Sequence, residues 1–407
     1  VKQEKSCTDE LLAEANASIL FIANRPQVVM ERGEGMYLWD TNGKKYLDFI
    51  GGWAVTSLGH SPKVISDALL EQSGKLVNAS PGFFNKPMVE FARLLTGLSG
   101  LERVFFGSTG AEANESAIKL ARKYGAVRKN GAYEIITAKR SFHGRSLATT
   151  AATGKAGWEH MFAPQLPGFV KVPYNDIEAM KLAITPLTCA IFVELIQGEG
   201  GVFEADPAYI QALRALCDEQ GILLMFDEVQ TGIGRTGTMF AYEHYGVMPD
   251  VLTLAKGIGG GFPLSAMLTR EAYNLFEAGD QGGTYTGQPL AMAVGLAVVG
   301  EVLERKLPQQ AAEQGAYLLQ KLHGLKEQYG VTDIRGKGLL LAFDLPEPRG
   351  AELAAACLQA GLLINSSGPS TIRLIPALIV SKAEIDEMMT LLCNVMDRVF
   401  KNVALRG

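Results

Sequence analysis

Two hydrophobic rhythms alternate along the middle of this chain. Short, largely apolar runs of strand length lie at residues 104–106, 134–138, 189–195, 222–226 and 251–255, each followed by a turn rich in glycine or charge. Elsewhere the spacing is helical, as in the stretch from Ala111 with apolar positions at Ala113, Ala117, Ile118, Leu120, Ala121 and Tyr124. Strands interleaved with helices predict an α/β domain with a mostly parallel sheet, its site outside the carboxyl ends of the strands. The two chain ends read differently. Residues 18–46 are turn-rich, and Gly33-Glu34-Gly35 and Thr41-Asn42-Gly43-Lys44 predict hairpin turns. A long helix with small residues begins after Leu290. Beyond it the pattern is α+β: a helix at 308–328, strands at 331–335 and 339–343, a helix at 351–359, strands at 362–365 and 371–375, and a helix at 381–400.

The strand ends carry the candidate chemistry. The run 222–226 ends at Asp227 and the run 251–255 at Lys256. A lysine can form a Schiff base with an aldehyde, and an aspartate can hold a pyridine nitrogen protonated, so the pair suits pyridoxal phosphate. Taken singly, an aspartate after a strand is more often a helix cap, and a lysine before glycines a solvated loop charge. The strand, turn and helix around Gly107-Ser108-Thr109-Gly110 present unpaired N–H groups to an anion, although the turn lacks both GxGxxG and GxxxxGK. Phe142 and Arg145 follow the next strand, where an aromatic can stack on a planar ring and an arginine can grip a carboxylate. Core packing and a surface ion pair are equally open for them. Glu194 and Glu199 flank a glycine-containing loop, and Arg373 interrupts an apolar run, so it requires a partner.

Composition narrows the classes. A chain of 407 residues has room for two to four domains. The net charge is 38 − 43 = −5, spread without long runs, which gives no electrostatic case for nucleic acid or an anionic membrane. No apolar stretch approaches the ~18 residues of a membrane span. Cys7, Cys189, Cys217, Cys357 and Cys393 are scattered, the five histidines are dispersed, and no CxxC or HxxxH pair occurs. Reduced thiols, no metal site and a cytoplasmic location are the expectations.

The motifs 227–237 (DEVQTGIGRTG) and 254–266 (LAKGIGGGFPLSA), with SFHGR at 141–145 and GAEANESA at 110–117, resemble those of the class III (subgroup II, ω-type) aminotransferases. The resemblance runs from Arg25 to Phe400 and is closest to the acetylornithine and succinylornithine type. It implies a PLP-transferase fold of type I: a large domain (51–300) with a seven-stranded, mostly parallel sheet, and a smaller α+β domain built from both chain ends (1–50 and 301–407). Lys256 and Asp227 would be catalytic. Gly110, Ala111, Phe142, Glu228, Val229 and Gln230 would join them around the pyridoxal phosphate, with Thr284 reaching the partner's cofactor phosphate in a homodimer. Arg145, Glu199, Gly283 and Arg373 would bind substrate, Glu199 releasing Arg373 when the keto acid enters. His143 is expected to be structural. The implied reaction passes the terminal amine of N2-acetylornithine or succinylornithine to 2-oxoglutarate, giving glutamate. Ornithine, 4-aminobutyrate or a diamine as donor, and an aminomutase or epimerase on the same fold, are the alternatives. Departures from the family pattern at Ala111, Leu195, Phe84 and residues 55–57 bear on the phosphate contact, a turn and the donor pocket.

Overall fold

The computed structural model describes residues 7–401; the first six residues of the charged amino end and the last six of the chain lie outside it. Seven strands form the central sheet: β1 (Arg103–Gly107), β2 (Glu134–Ala138), β3 (Phe169–Val172), β4 (Thr188–Glu194), β5 (Leu223–Asp227), β6 (Val251–Leu254) and β7 (Ser265–Thr269). Their spatial order is β1-β7-β6-β5-β4-β2-β3. Every neighbouring pair is parallel except those of β7, which runs antiparallel to β6 and β1. All residues of β4, β5, β6 and β7 are buried. Strands covered on both faces read as continuous apolar runs instead of alternating ones, which is why these runs stand out in the sequence.

The chain ends share sheets of their own. Strands Met30–Glu34, Tyr37–Asp40 and Lys45–Asp48 form an antiparallel meander, and Leu362–Leu363 from the far end adds to it in parallel. A second sheet holds β8 (Thr332–Lys337), β9 (Leu340–Asp344), β10 (Asn365–Ser366) and β11 (Thr371–Leu374), in the order β8-β9-β11-β10. The expected strand 362–365 is therefore two strands, because the chain leaves one sheet and joins the other at Ile364. The expected helix 308–328 is also two, Leu307–His323 and Leu325–Tyr329, divided at Gly324. The closing helix runs Lys382–Met396 and relaxes into a π turn, Asp397–Lys401. Among the described residues no helix is long and apolar enough to cross a membrane, and no cluster of three or more His, Cys, Asp or Glu side chains is placed to hold a metal ion.

Between the meander and the central sheet lies one turn of helix of the opposite hand. Gly51, Gly52, Trp53 and Ala54 have φ of 56°, 58°, 66° and 65°. For L-residues this conformation costs roughly 1–2 kcal/mol each, glycine excepted, so neighbours must impose it. Asp48 does so from below. Its Oδ1 accepts from the N–H groups of Ile50 (2.8 Å) and Gly51 (3.0 Å), and its Oδ2 accepts from His60 Nε2 at 2.8 Å. Asp48 is 3% exposed. Replacing Asp48 by Ala should strand three donors and lower the unfolding free energy in urea by about 2–4 kcal/mol. A loss below about 0.5 kcal/mol would show that packing alone holds the turn.

Candidate active site

The carboxyl ends of β4, β5 and β6 open into a cavity of about 470 Å³, within the usual range for a small-molecule site. The pairing places Asp227 beside Glu194 on one side and Thr253 on the other, so the strands deliver their last side chains to one edge. Lys256 lies just past the end of β6, with φ of 50°. Left-handed backbone at a non-glycine residue is strain of the kind that collects at working sites. Burial disfavours its ammonium form, and the positive charge of Arg373 adds to that; Glu199, Asp227 and Glu194 pull the other way without reversing the direction.

Asp227 is held by three donors. Asn114 Nδ2 and His143 Nδ1 each reach Oδ2 at 2.8 Å, and the Val229 N–H reaches Oδ1 at 3.0 Å. His143 stacks on Phe192 with ring centroids 4.4 Å apart, which fixes the plane of the imidazole. Among the described residues the Glu194 carboxylate receives only the Phe142 N–H, at 2.9 Å. Burial, reinforced by the negative charge of Asp227, drives its carboxyl well above the usual range. Glu194 is thus driven to hold a proton.

Two arginines occupy contrasting environments. Arg145 is exposed at the cavity and has no carboxylate partner among the described residues; its guanidinium stands 5.2 Å from the Trp158 ring and 6.0 Å from that of Phe142. Arg373 is fully buried. It donates to Glu199 Oε1 and Gly198 O at 2.8 Å, and to Asn365 Oδ1 at 2.8 and 3.1 Å. Glu199 faces the cavity between Arg373 and Lys256. Burial raises its carboxyl, but the charges of Arg373 and Lys256 outweigh that and hold it below its ordinary value. The half-exposed indole of Trp53, carried on the left-handed turn, lies 5.6 Å from the Arg373 guanidinium.

At the third wall is the start of helix Gly110–Arg128. Thr109 caps it, accepting from the Glu112 N–H, while the Glu112 carboxylate accepts from the N–H groups of Ser108 and Thr109. The N–H groups of Gly110 and Ala111, at the first two helical positions, have no intrahelical acceptor. A Cβ on Gly110 would come within 2.8 Å of Val229 Cγ1, so only glycine lets the turn sit this close to the cavity.

Comparisons with known proteins give the family. The family model Aminotransferase class-III matches residues 22–396. The chain belongs to the class-III aminotransferases. It is 49% identical over 382 residues to the acetylornithine aminotransferase of Ralstonia nicotianae, covering 92% of this chain and 96% of that one. The ornithine aminotransferase of Toxoplasma gondii superposes with a TM-score of 0.92 at 31% identity, covering 98% and 97% of the two chains. An acetylornithine aminotransferase of Elizabethkingia anophelis gives 0.85 at 32% identity, covering 96% and 98%.

Pyridoxal phosphate is the cofactor of this class, and the residues present fit it. Both polar atoms of the buried Gln230 amide lack a hydrogen bond of good geometry; the amide lies toward Glu199 and helps keep it ionised. Gln230, Asp227, Lys256, Phe142, Val229, Gly110 and Ala111 all line one cavity with Arg145 and Glu199. Of the residues expected at the site, Glu228 lies outside the cavity, and Gly283 and Thr284, the latter expected at the partner's cofactor, are not among those lining it in their own chain. Glu228 points away from the cavity, because successive side chains at a strand end face opposite ways; its oxygens accept from the N–H groups of Ala241 and Tyr242. Gly283 and Thr284 sit on an exposed loop beside Ser108 and Glu112, outside the cavity of their own chain. Conversely, Asn114 stands at the site without having been expected there, and His143, expected to be structural, reaches Asp227. Only their buried or apolar contexts hinted at it.

Glu228 offers a test of the strand-end reading. Burial pushes its carboxyl up to about 7, although three hydrogen bonds oppose the shift. A raised carboxyl loses native stability as it ionises. The stability of the wild type relative to Glu228→Gln should therefore be greatest below about pH 4.5, fall by on the order of 3 kcal/mol toward pH 7, and level off above. Parallel unfolding curves for the two proteins from pH 5 to 8 would contradict the burial.

Proposed function

We propose that this aminotransferase passes the terminal amine of N2-acetylornithine, or of its succinyl counterpart, to 2-oxoglutarate and releases glutamate. The observation that carries this reading is the contrast between an exposed, unpaired Arg145 and a buried Arg373 locked to Glu199. Arg145 takes the donor's carboxylate, so the distant amine, and not the one beside the carboxylate, reaches Lys256. While the donor is bound, Glu199 keeps Arg373 closed. When 2-oxoglutarate enters, its α-carboxylate takes Arg373 and Glu199 turns aside. The acetylornithine name of relatives at 44–49% identity supports this donor. The ornithine aminotransferases among the structural relatives make ornithine the first donor to measure against it.

Bound pyridoxal phosphate supplies an aldehyde that condenses with amines and a ring that accepts the electron pair left when a C–H proton departs. Asp227, positioned by Asn114 and His143, would keep the ring nitrogen protonated. Gln230 and Phe142 would hold the ring, and the Gly110 and Ala111 N–H groups would receive the phosphate. Lys256 Nζ, its neutral form favoured by burial, would carry the proton from the donor carbon that bears the amine to the cofactor carbon that takes up the nitrogen, and the reverse way in the second half-reaction.

The same reading extends to a cytoplasmic homodimer in which Thr284 and Gly283, exposed in one protomer, complete the site of the other. It also divides the chain into a cofactor-binding domain (51–300) and a small domain from both ends.

A panel of N2-acetylornithine, ornithine, 4-aminobutyrate and diamines against 2-oxoglutarate tests the assignment. Acetylornithine should give the highest kcat/KM, with one 2-oxoglutarate consumed per amine transferred; no consumption would point to a mutase or epimerase. Lys256→Ala should lower turnover by at least about 10³-fold, and near-parental activity would remove its role. Arg145→Ala should raise KM roughly tenfold or more for carboxylate-bearing donors and little for simple amines. Equal effects on both would count against the contact.

A further inference from the structure

A buried cation with no counter-charge joins the two halves of the site. Arg235 lies in the loop 232–237, just after Asp227 and Gln230, and is 2% exposed. Among the described residues no carboxylate pairs with it, and burial brings its guanidinium down to about 9. Nη1 donates to the carbonyls of Leu339 at 3.1 Å and Pro376 at 2.5 Å, while Nη2 finds no acceptor. The Leu339 N–H returns a bond to Arg235 O at 3.0 Å. Gly338, with φ of +58°, packs so tightly that a Cβ there would come within 2.6 Å of the same oxygen.

A neutral side chain could satisfy either carbonyl without burying a charge. What a guanidinium adds is a rigid donor set able to hold two separate segments at once. Leu339 leads into β9, and Pro376 follows Arg373 by three residues, immediately beyond β11. The loop's other end is tied to β5. Arg235 therefore spans from the strand that presents Asp227 to the sheet that presents Arg373.

We propose that Arg235 is a positioning residue: it fixes how far Arg373 stands from Asp227 and Lys256, and so sets the length of keto acid the site accepts. The proposal rests on reading Arg373 as the receiver of the acceptor's α-carboxylate.

Arg235→Lys and Arg235→Met, as full-length holoenzymes, test it. The two half-reactions are followed separately by the cofactor's absorbance, with four-, five- and six-carbon 2-keto dicarboxylates as acceptors and thermal unfolding as the check on folding. In a folded variant the KM for 2-oxoglutarate should rise by roughly tenfold more than the donor KM, with preference shifting toward the four- or six-carbon acid. Parallel losses in both half-reactions, or an unchanged order of acceptors, would overturn it. Should Arg235→Met not fold, Arg235→Lys, which keeps the charge but loses the planar fork, decides by the same ratio. If the wild type itself consumes no 2-oxoglutarate, the functional reading fails before any variant is compared.

Discussion

The parallel register of β4, β5 and β6 is the constraint on which the site depends. Asp227 lies opposite Glu194 and Thr253, and Lys256 follows three residues after that threonine. These strands are buried on both faces, so a slip of one residue would turn every side chain to the opposite face. Register thus brings two acids and an amine into a poorly solvated space where they cannot all keep their charge. The structure resolves the conflict unequally. Three donors go to Asp227 and one to Glu194, while Lys256 has burial working against its ammonium form.

Arg373, which does not itself line the cavity, shows the same economy behind Glu199. A guanidinium at 0% exposure needs acceptors on every edge, and Glu199, Gly198 and Asn365 provide them. Of the three, only Glu199 also faces the cavity. The ion pair is therefore the one contact of Arg373 open to competition from an incoming carboxylate. Gln230 adjoins that glutamate, which links the state of the pair to the residues around the ring.

Much of this was legible in the sequence because covalent chemistry demands particular residues at strand ends. Asp227 and Lys256 each terminate a largely apolar run of strand length, and Arg373 announced its need for a partner by interrupting another. Other features escaped for physical reasons. Asn114 and His143 meet at Asp227, 113 and 84 positions away in the chain, and no periodicity reports such a distance. Glu228 was expected at the site beside Asp227, although period-two alternation already sends it to the other face. The split of 362–365 between two sheets depends on which neighbours are present, and short apolar runs do not carry that information.

The left-handed turn has a bearing on how the family can vary here. A right-handed surface helix absorbs an inserted residue by lengthening or fraying. A turn of the opposite hand has no such freedom, since each added L-residue would bring a further penalty of roughly 1–2 kcal/mol. Asp48 anchors one end of the segment, and Ser57 the other, through its carbonyl and the Leu378 N–H. The segment therefore behaves as a ruler of fixed length. Insertions and deletions are barred from it, while the side chain at position 53, half in solvent, stays free to be exchanged, so diversification opposite Arg373 proceeds by substitution alone.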